Sequence, residues 1–261
     1  MLLALGGGVT GDLVGFVAAS LHRGIPLIHL PTSIIAQVDS SIGGKVGINH
    51  PRGKNLLGNF HQASAVFIHP QFLQTLPEIE FINGMAEVIK YAVTLDATLW
   101  DLLEAEHGQI LDRKPDILEQ IIRRSVELKI QVVEKDEKES EYRSLLNFGH
   151  TVGHAIEQLS QYQMKHGFAV AAGMLVAGVL SHQLMGYPAS HLKRLRKTLN
   201  LFKLDDVKIS KYALIDIWET IQTDKKARRK QPRFTLLDSN GQPLLFQAVS
   251  REALRNAVDV C

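Results

Sequence analysis

Leu2-Leu3-Ala4-Leu5-Gly6-Gly7-Gly8-Val9-Thr10-Gly11-Asp12 opens this 261-residue chain and decides how the rest is read. Four consecutive apolar residues suit a short buried strand, three glycines a tight turn, and Leu13 to Leu21 a helix. Strand, glycine loop and helix form the α/β unit that receives phosphate or a dinucleotide at a helix N-terminus. Gly6-x-Gly8-x-x-Gly11 matches the dinucleotide pattern. The acidic residue expected about 20 positions further on is absent, since Asp39 lies 28 beyond Gly11. The same residues also fit a plain strand-to-helix turn, with Asp12 as the helix N-cap.

Outward from this unit, Ile25 to Leu30 and Ala65 to Ile68 read as further short buried strands. Residues 39–59 between them are rich in Gly and Lys and read as a loop too polar for a core. From Pro77 onward helical periodicity dominates. It runs over Gly84 to Ala105 and over Asp116 to Glu134, where Ile117, Ile121, Leu128 and Val132 mark one face. Further helices are expected over 144–160, 167–185 and 189–199, with Gly186 as a C-terminal stop. Arg233 to Leu237 and Pro243 to Val249 flank Asp238-Ser-Asn-Gly241, a hairpin pattern. The expected architecture is an α/β nucleotide-binding, Rossmann-like domain over 1–77 and a mostly α-helical metal- and substrate-binding domain over 78–261. A doubly wound domain needs several βα units, and one strand precedes the glycine loop. The nucleotide domain is therefore expected to lack its N-terminal part.

Composition narrows the function classes. Apolar content of 45% and charged content of 21% are those of a soluble globular protein. A formal net charge of +2 gives no basic field for nucleic acid. The single Cys261 cannot form an internal disulfide, which fits a reducing, cytoplasmic setting. The N-terminus lacks the basic region of a signal peptide, and the longest apolar run, Phe168 to Leu180, is 13 residues, a buried core helix rather than a membrane span.

The chemistry-bearing residues concentrate in a few places. In Arg143-Ser-Leu-Leu-Asn147-Phe-Gly-His150-Thr-Val-Gly-His154, the four polar groups fall at i, i+4, i+7 and i+11, one face of a helix. His166-Gly167 follows 12 residues later. Such groups on a buried face are costly unless a ligand or metal satisfies them. Three histidines suit a catalytic zinc, although the intervening Glu of the zincin pattern is missing. Asp39-Ser-Ser-Ile-Gly-Gly-Lys45 and Gly53-Lys54-Asn55 combine glycines with two Lys, which suits an anion. Glu87 and Lys90 lie in an apolar helical run, as a surface pair or turned inward. Lys129 adds charge, the acidic run Glu134 to Glu141 reads as a solvated face, and Lys225 to Lys230 as a basic surface loop.

Together GGGVTGD (6–12), VDSSIGGK (38–45), GKN (53–55), MAEVIKY (85–91), RSLLNFGHTVGHAIE (143–157) and HG (166–167) resemble the 3-dehydroquinate synthase family of the sugar phosphate cyclase superfamily. The resemblance implies NAD and a divalent metal, zinc or cobalt, as cofactors. It implies a small-molecule sugar phosphate substrate, 3-deoxy-D-arabino-heptulosonate 7-phosphate, converted in the shikimate pathway to 3-dehydroquinate and phosphate. Metal ligands carried over by motif are Glu87, His150 and His166. The NAD side is Gly8, Val9, Thr10, Gly11, Asp12, Thr32, Ser33, Lys45, Lys54 and Thr75. The substrate pocket is Arg23, Asp39, Lys45, Asn55, Lys90, Lys129, Glu139, Arg143, Asn147, His154 and one of Lys225 or Lys226. Ser33 stands where the family usually has Thr. Neither nucleic acid nor membrane is an expected partner, and a homodimer is a family expectation. The alternatives are another sugar phosphate cyclase, a metal- and NAD-dependent alcohol dehydrogenase, or a catalytically impaired fragment that binds NAD poorly.

Overall fold

The computed structural model of the chain describes residues 1–50, 53–205, 207–223 and 232–261. The strands are β1 (Leu2–Gly6), β2 (Leu27–Pro31), β3 (Lys45–His50), β4 (Gly53–Phe60), β5 (Ala65–Val66), β6 (Arg233–Leu237) and β7 (Pro243–Ala248). The first five helices are α1 (Gly8–Ser20), α2 (Glu78–Leu95), α3 (Ala97–Ala105), α4 (His107–Leu111) and α5 (Pro115–Lys135). The others are α6 (His150–Leu159), α7 (His166–Met185), α8 (Ala189–Leu201), α9 (Leu214–Thr223) and α10 (Arg251–Val260). Two compact units result: Met1–Val88 with Glu106–Arg143, and Ile89–Ala105 with Ser144–Cys261.

The first unit is α/β. β1, β2 and β5 form a parallel sheet in that order, with Leu2 opposite Leu27 and Gly6 opposite Pro31. α1 packs on it through Ala18 against Ala4 and Leu27, with Leu2, Val14, Ile25 and Ala63 filling the margins. The polar loop expected over 39–59 is instead a π-helical turn, Ala36–Ser40, followed by an antiparallel ladder of β3 on β4. The sequence hid the ladder because its inward residue, Val46, sits among glycines. Val46 fits so closely under α1 that a Cβ on Gly15 would lie 2.3 Å from its Cγ1. Asp12 is not the N-cap of α1; Gly7 holds that place.

The second unit is mostly helical, with the β6–β7 hairpin as expected. The helical run expected over 84–105 is two helices, broken at Asp96. The Asp96 carboxylate accepts the Thr98 and Leu99 backbone N–H groups at 2.9 and 3.3 Å and so starts α3. α7, at 20 residues, is long and apolar enough to cross a membrane, yet 72% of its apolar window is buried. It is the core helix, contacted by α6, α8, α10 and β6. Gly186, at φ +75°, caps it and returns its N–H to the Ser181 carbonyl.

A further correction concerns residues 144–160. Tyr142–Asn147 is a 3-10 turn, and α6 begins only at His150, after Gly149 at φ +81°. Arg143 and Asn147 therefore do not share a helical face with His150 and His154. The break follows from the contact between α6 and α7. A Cβ on Gly173 of α7 would stand 1.9 Å from the Gly149 carbonyl oxygen and 2.8 Å from the Gly153 nitrogen. Backbone meets backbone there, which only glycines permit. Gly173→Ala is accordingly expected to destabilise the protein by about 1–3 kcal/mol through overpacking. Chemical denaturation checks this, and an unchanged midpoint would contradict the contact.

Candidate functional site

In the first unit the glycine loop runs from the C-terminal end of β1 into the N-terminus of α1. Gly7 caps α1 without any side-chain bond, and the Thr32 N–H bonds the Gly6 carbonyl at 2.9 Å. Space is tight around the loop: a Cβ on Gly7 would meet Ser33 Oγ at 3.3 Å, and one on Gly8 would meet Ser40 Oγ at 3.0 Å. The structure thus brings Gly8 to Asp12 together with Thr32 and Ser33, in a hydroxyl-lined glycine cradle at a helix N-terminus that suits a pyrophosphate. Ser40 belongs to this cradle but lay unnoticed in the glycine-rich segment.

A charged cluster adjoins it. Lys129 is buried on α5, and its Nζ donates to Asp39 Oδ1 at 2.6 Å and to the Asp39 carbonyl at 2.5 Å. Asp39 sits on the π-helical turn, a local widening often found where a side chain must be aimed. Asp12 is half-buried; burial first, then the charge of Asp39, push its carboxyl from 3.8 up to about 7, while Lys129 counters.

Lys45 pairs with Glu139, which is held at φ +54°. Arg143, 3% exposed, donates its Nη1 to the carbonyls of Gly43 at 3.0 Å and Glu137 at 2.6 Å. The loop presenting Glu139 and Arg143 is tied by Asp136. This carboxylate accepts the backbone N–H groups of Ser140, Glu141 and Arg143 at 2.8, 2.9 and 2.9 Å, and the Ser140 hydroxyl at 2.9 Å. Burial acts to raise the Asp136 carboxyl, but these bonds outweigh it and hold the group well below the usual carboxylate range. The run Glu134 to Glu141 is therefore not simply a solvated face. Asp136 was missed because an acid among acids gives no sequence signal of burial.

The second unit holds the histidines. His150 begins α6, His154 lies one turn on, and His166 begins α7. Ring centroids are 5.3 Å apart for His150 and His154, 5.4 Å for His150 and His166, and 6.1 Å for His154 and His166. His150 Nδ1 lies 3.2 Å from the Phe148 carbonyl, and His166 Nδ1 lies 3.1 Å from a Glu157 carboxylate oxygen. Each acceptor takes an N–H from Nδ1, which in the neutral ring leaves the lone pair on Nε2, one of the two positions through which imidazole ligates a metal. Ser144, Asn147, His150 and His154 line a pocket of about 40 Å³ with Arg233 and Phe246.

The remaining predicted residues fall as follows. Glu87 and Lys90 are one turn apart on α2 and both are buried, at 0% and 2% exposure, so neither belongs to a surface pair. Arg23 is exposed in the 3-10 turn after α1, the opposite end of that 13-residue helix from Gly8. It does not join the glycine cradle. Thr75 is exposed at the end of a 3-10 turn, Pro70–Thr75. Lys54 and Asn55 lie on β4, and Lys225 and Lys226 lie outside the described residues.

Comparison with known proteins gives a consistent pattern. The family model described as 3-dehydroquinate synthase N-terminal matches residues 1–83, and that described as 3-dehydroquinate synthase C-terminal matches residues 84–227. A 3-dehydroquinate synthase of Geobacter metallireducens is 47% identical over 261 residues, covering 100% of this chain and 71% of the relative. Among solved structures, 2-epi-5-epi-valiolone synthase from Streptomyces hygroscopicus subsp. jinggangensis, with NAD+ and Zn2+ bound, superposes with a TM-score of 0.91 at 29% identity. That match covers 99% of this chain and 72% of the other. A 2-deoxy-scyllo-inosose synthase complexed with carbaglucose-6-phosphate, NAD+ and Co2+ gives 0.89 at 28% identity, covering 98% and 72%.

Two pH-dependent outcomes follow from the carboxylates. Asp136→Ala is expected to cost on the order of 3 kcal/mol near neutrality by stranding backbone donors. A depressed folded-state pKa stabilises above the unfolded value of 3.8, so this difference shrinks as the pH falls below it. Asp12 has the opposite sign. Its raised pKa means that stability present below 3.8 is lost as the pH rises through about 7. Asp12→Asn should therefore gain stability over the parent across that window, and parallel pH–stability curves for the two proteins would refute it.

Proposed function

Because the chain belongs to the 3-dehydroquinate synthase family, we propose that it converts 3-deoxy-D-arabino-heptulosonate 7-phosphate to 3-dehydroquinate and phosphate, a phosphate-eliminating lyase reaction of the shikimate pathway, using NAD and a divalent metal. The observation that carries the choice within the superfamily is identity over the whole chain, 47% to a 3-dehydroquinate synthase against 29% and 28% to cyclases with other products. Soluble substrate and cofactor suit a cytoplasmic enzyme, and a homodimer is the family's expectation.

The residues present fit both cofactors. The glycines from Gly6 to Gly8 at the start of α1, with the Ser33 and Ser40 hydroxyls against them, suit the NAD pyrophosphate. His150 and His166, each with Nδ1 engaged and Nε2 as the candidate donor, and the buried carboxylate of Glu87 are nitrogen and oxygen donors of the kinds that zinc or cobalt takes. When bound, NAD supplies a reversible hydride transfer and the metal supplies charge that acidifies a substrate hydroxyl.

The chain's own side chains do the rest. The substrate carries a carboxylate and a phosphate, so it needs cations of fixed direction. Arg143 is aimed by two backbone carbonyls, Lys129 by Asp39, and Lys45 by Glu139. With Lys90 and one of Lys225 or Lys226, they neutralise the anionic groups and hold the substrate for elimination. His154, an imidazole able to carry a proton, and Asn147, an amide able to hydrogen-bond the substrate, line the same small pocket as His150.

The test is phosphate release by the protein loaded with NAD and zinc or cobalt. The heptulosonate phosphate is expected to turn over and a heptulose phosphate lacking the carboxylate is not; equal turnover of both would reassign the chain to another cyclase. His150→Ala is expected to lose stoichiometric metal and at least about 100-fold in activity, since removing even a hydrogen-bonding partner of a ligand costs about 10–100-fold. Full metal content by elemental analysis would remove His150 from the ligand set.

A further inference from the structure

Glu157 has no role in the reaction as described, yet it is conspicuous. It lies on α6 among the buried Val152, Gly153, Ala155 and Ile156, and is itself 1% exposed. A position so enclosed normally takes an apolar side chain, because a buried carboxylate is expensive unless it is hydrogen-bonded. Its oxygen Oε2 lies 3.1 Å from His166 Nδ1, across the packed α6–α7 pair.

We infer that Glu157 is a positioning residue for the metal site: by accepting the Nδ1 proton it fixes the tautomer and ring direction of His166, so that Nε2 is the ligating atom. The inference rests on the reading of His166 as a metal ligand. A carboxylate behind a ligating imidazole also raises the donor strength of the ring, and losing such a partner typically costs 10–100-fold in metal affinity. The rival arrangement is direct ligation by Glu157, since His154, Glu157 and His166 each offer one donor atom within 4.8 Å of the others. Direct ligation through the facing Nδ1 would require that nitrogen to be deprotonated and both atoms to stand about 2 Å from the ion. The 3.1 Å separation is that of a hydrogen bond, and the variants below separate the two arrangements.

Zinc affinity measured by chelator competition on the full chain, with the cobalt absorption spectrum recorded beside it, separates these cases. Glu157→Leu is expected to bind zinc 10–100-fold more weakly, while Glu157→Gln, whose side-chain oxygen accepts the same N–H, recovers to within a few-fold of the parent with an unchanged cobalt spectrum. Parent-like affinity in Glu157→Leu overturns the inference. So does a Glu157→Gln protein as weak as Glu157→Leu with a shifted cobalt spectrum, which would make Glu157 a ligand. His166→Ala binding metal as tightly as the parent would instead sink the underlying ligand assignment. A measurement that needs no variant stands beside these: ring-15N signals of the metal-free protein are expected to place the His166 proton on Nδ1, and a proton on Nε2 overturns the inference outright.

Discussion

The contact on which the helical unit depends is the approach of α6 to α7 at Gly149, Gly153 and Gly173. At Gly153 and Gly173 this contact is backbone on backbone, with the Met174 side chain packed beside Gly149, so the distance between the two helices is set mainly by backbone atoms. Such a contact has little tolerance, because few rotamers are available through which it can adjust. The three clustered histidines are all referenced to it. His150 and His154 ride on α6 and His166 heads α7, so the three rings stand at fixed separations before any ligand arrives. The αL turn at Gly149 serves the same end by ending the preceding 3-10 segment and starting α6 at a histidine.

In the α/β unit the ordering is done by charge rather than by glycine contact. Two buried or half-buried acids are used in opposite ways. Asp136 is surrounded by donors and stays ionised, so it shapes a loop and aims Arg143. Asp12 has burial and Asp39 against it and sits near the middle of its titration at neutral pH. The local supply of N–H groups decides between the two outcomes. Asp136 has backbone donors from three residues, whereas Asp12 lies inside α1, where the backbone N–H groups are taken by the helix.

Much of this was legible beforehand because it is local. β1, the glycine turn and α1 follow one another in sequence, and the hairpin is signalled by Asp238 to Gly241. The residues grouped by motif also proved informative: the three histidines do come together, and so do Asp39 and Lys129. What escaped was whatever depends on partners distant in sequence. Regular helical spacing placed Arg143 on the histidine face, but Gly173, 30 residues away, imposes the break that removes it. The β3–β4 ladder was hidden because its order comes from α1 pressing on Val46, not from strong alternation. The buried states of Asp136 and Glu157 were equally invisible, since a carboxylate has the same letter in a core as on a surface. α9 and α10 also passed unread. α10 had a signal in Ser250, whose side chain caps Ala253 at 3.1 Å, ahead of the buried pair Leu254 and Ala257.

The short connection between α6 and α7 has a kinetic consequence. Only residues 160–165 separate the two helices, so the histidine triangle closes through a loop of small entropic cost and requires no distant chain. The wall of the pocket beside it is different: Thr235 of β6 reaches the Ser144 carbonyl at 2.8 Å across 91 positions of sequence. During synthesis the ring cluster can therefore assemble as soon as α7 has emerged, while the hairpin that walls it is added only once nearly the whole chain is available. The histidine cluster is the early, local part of this fold, and its enclosure is the late one.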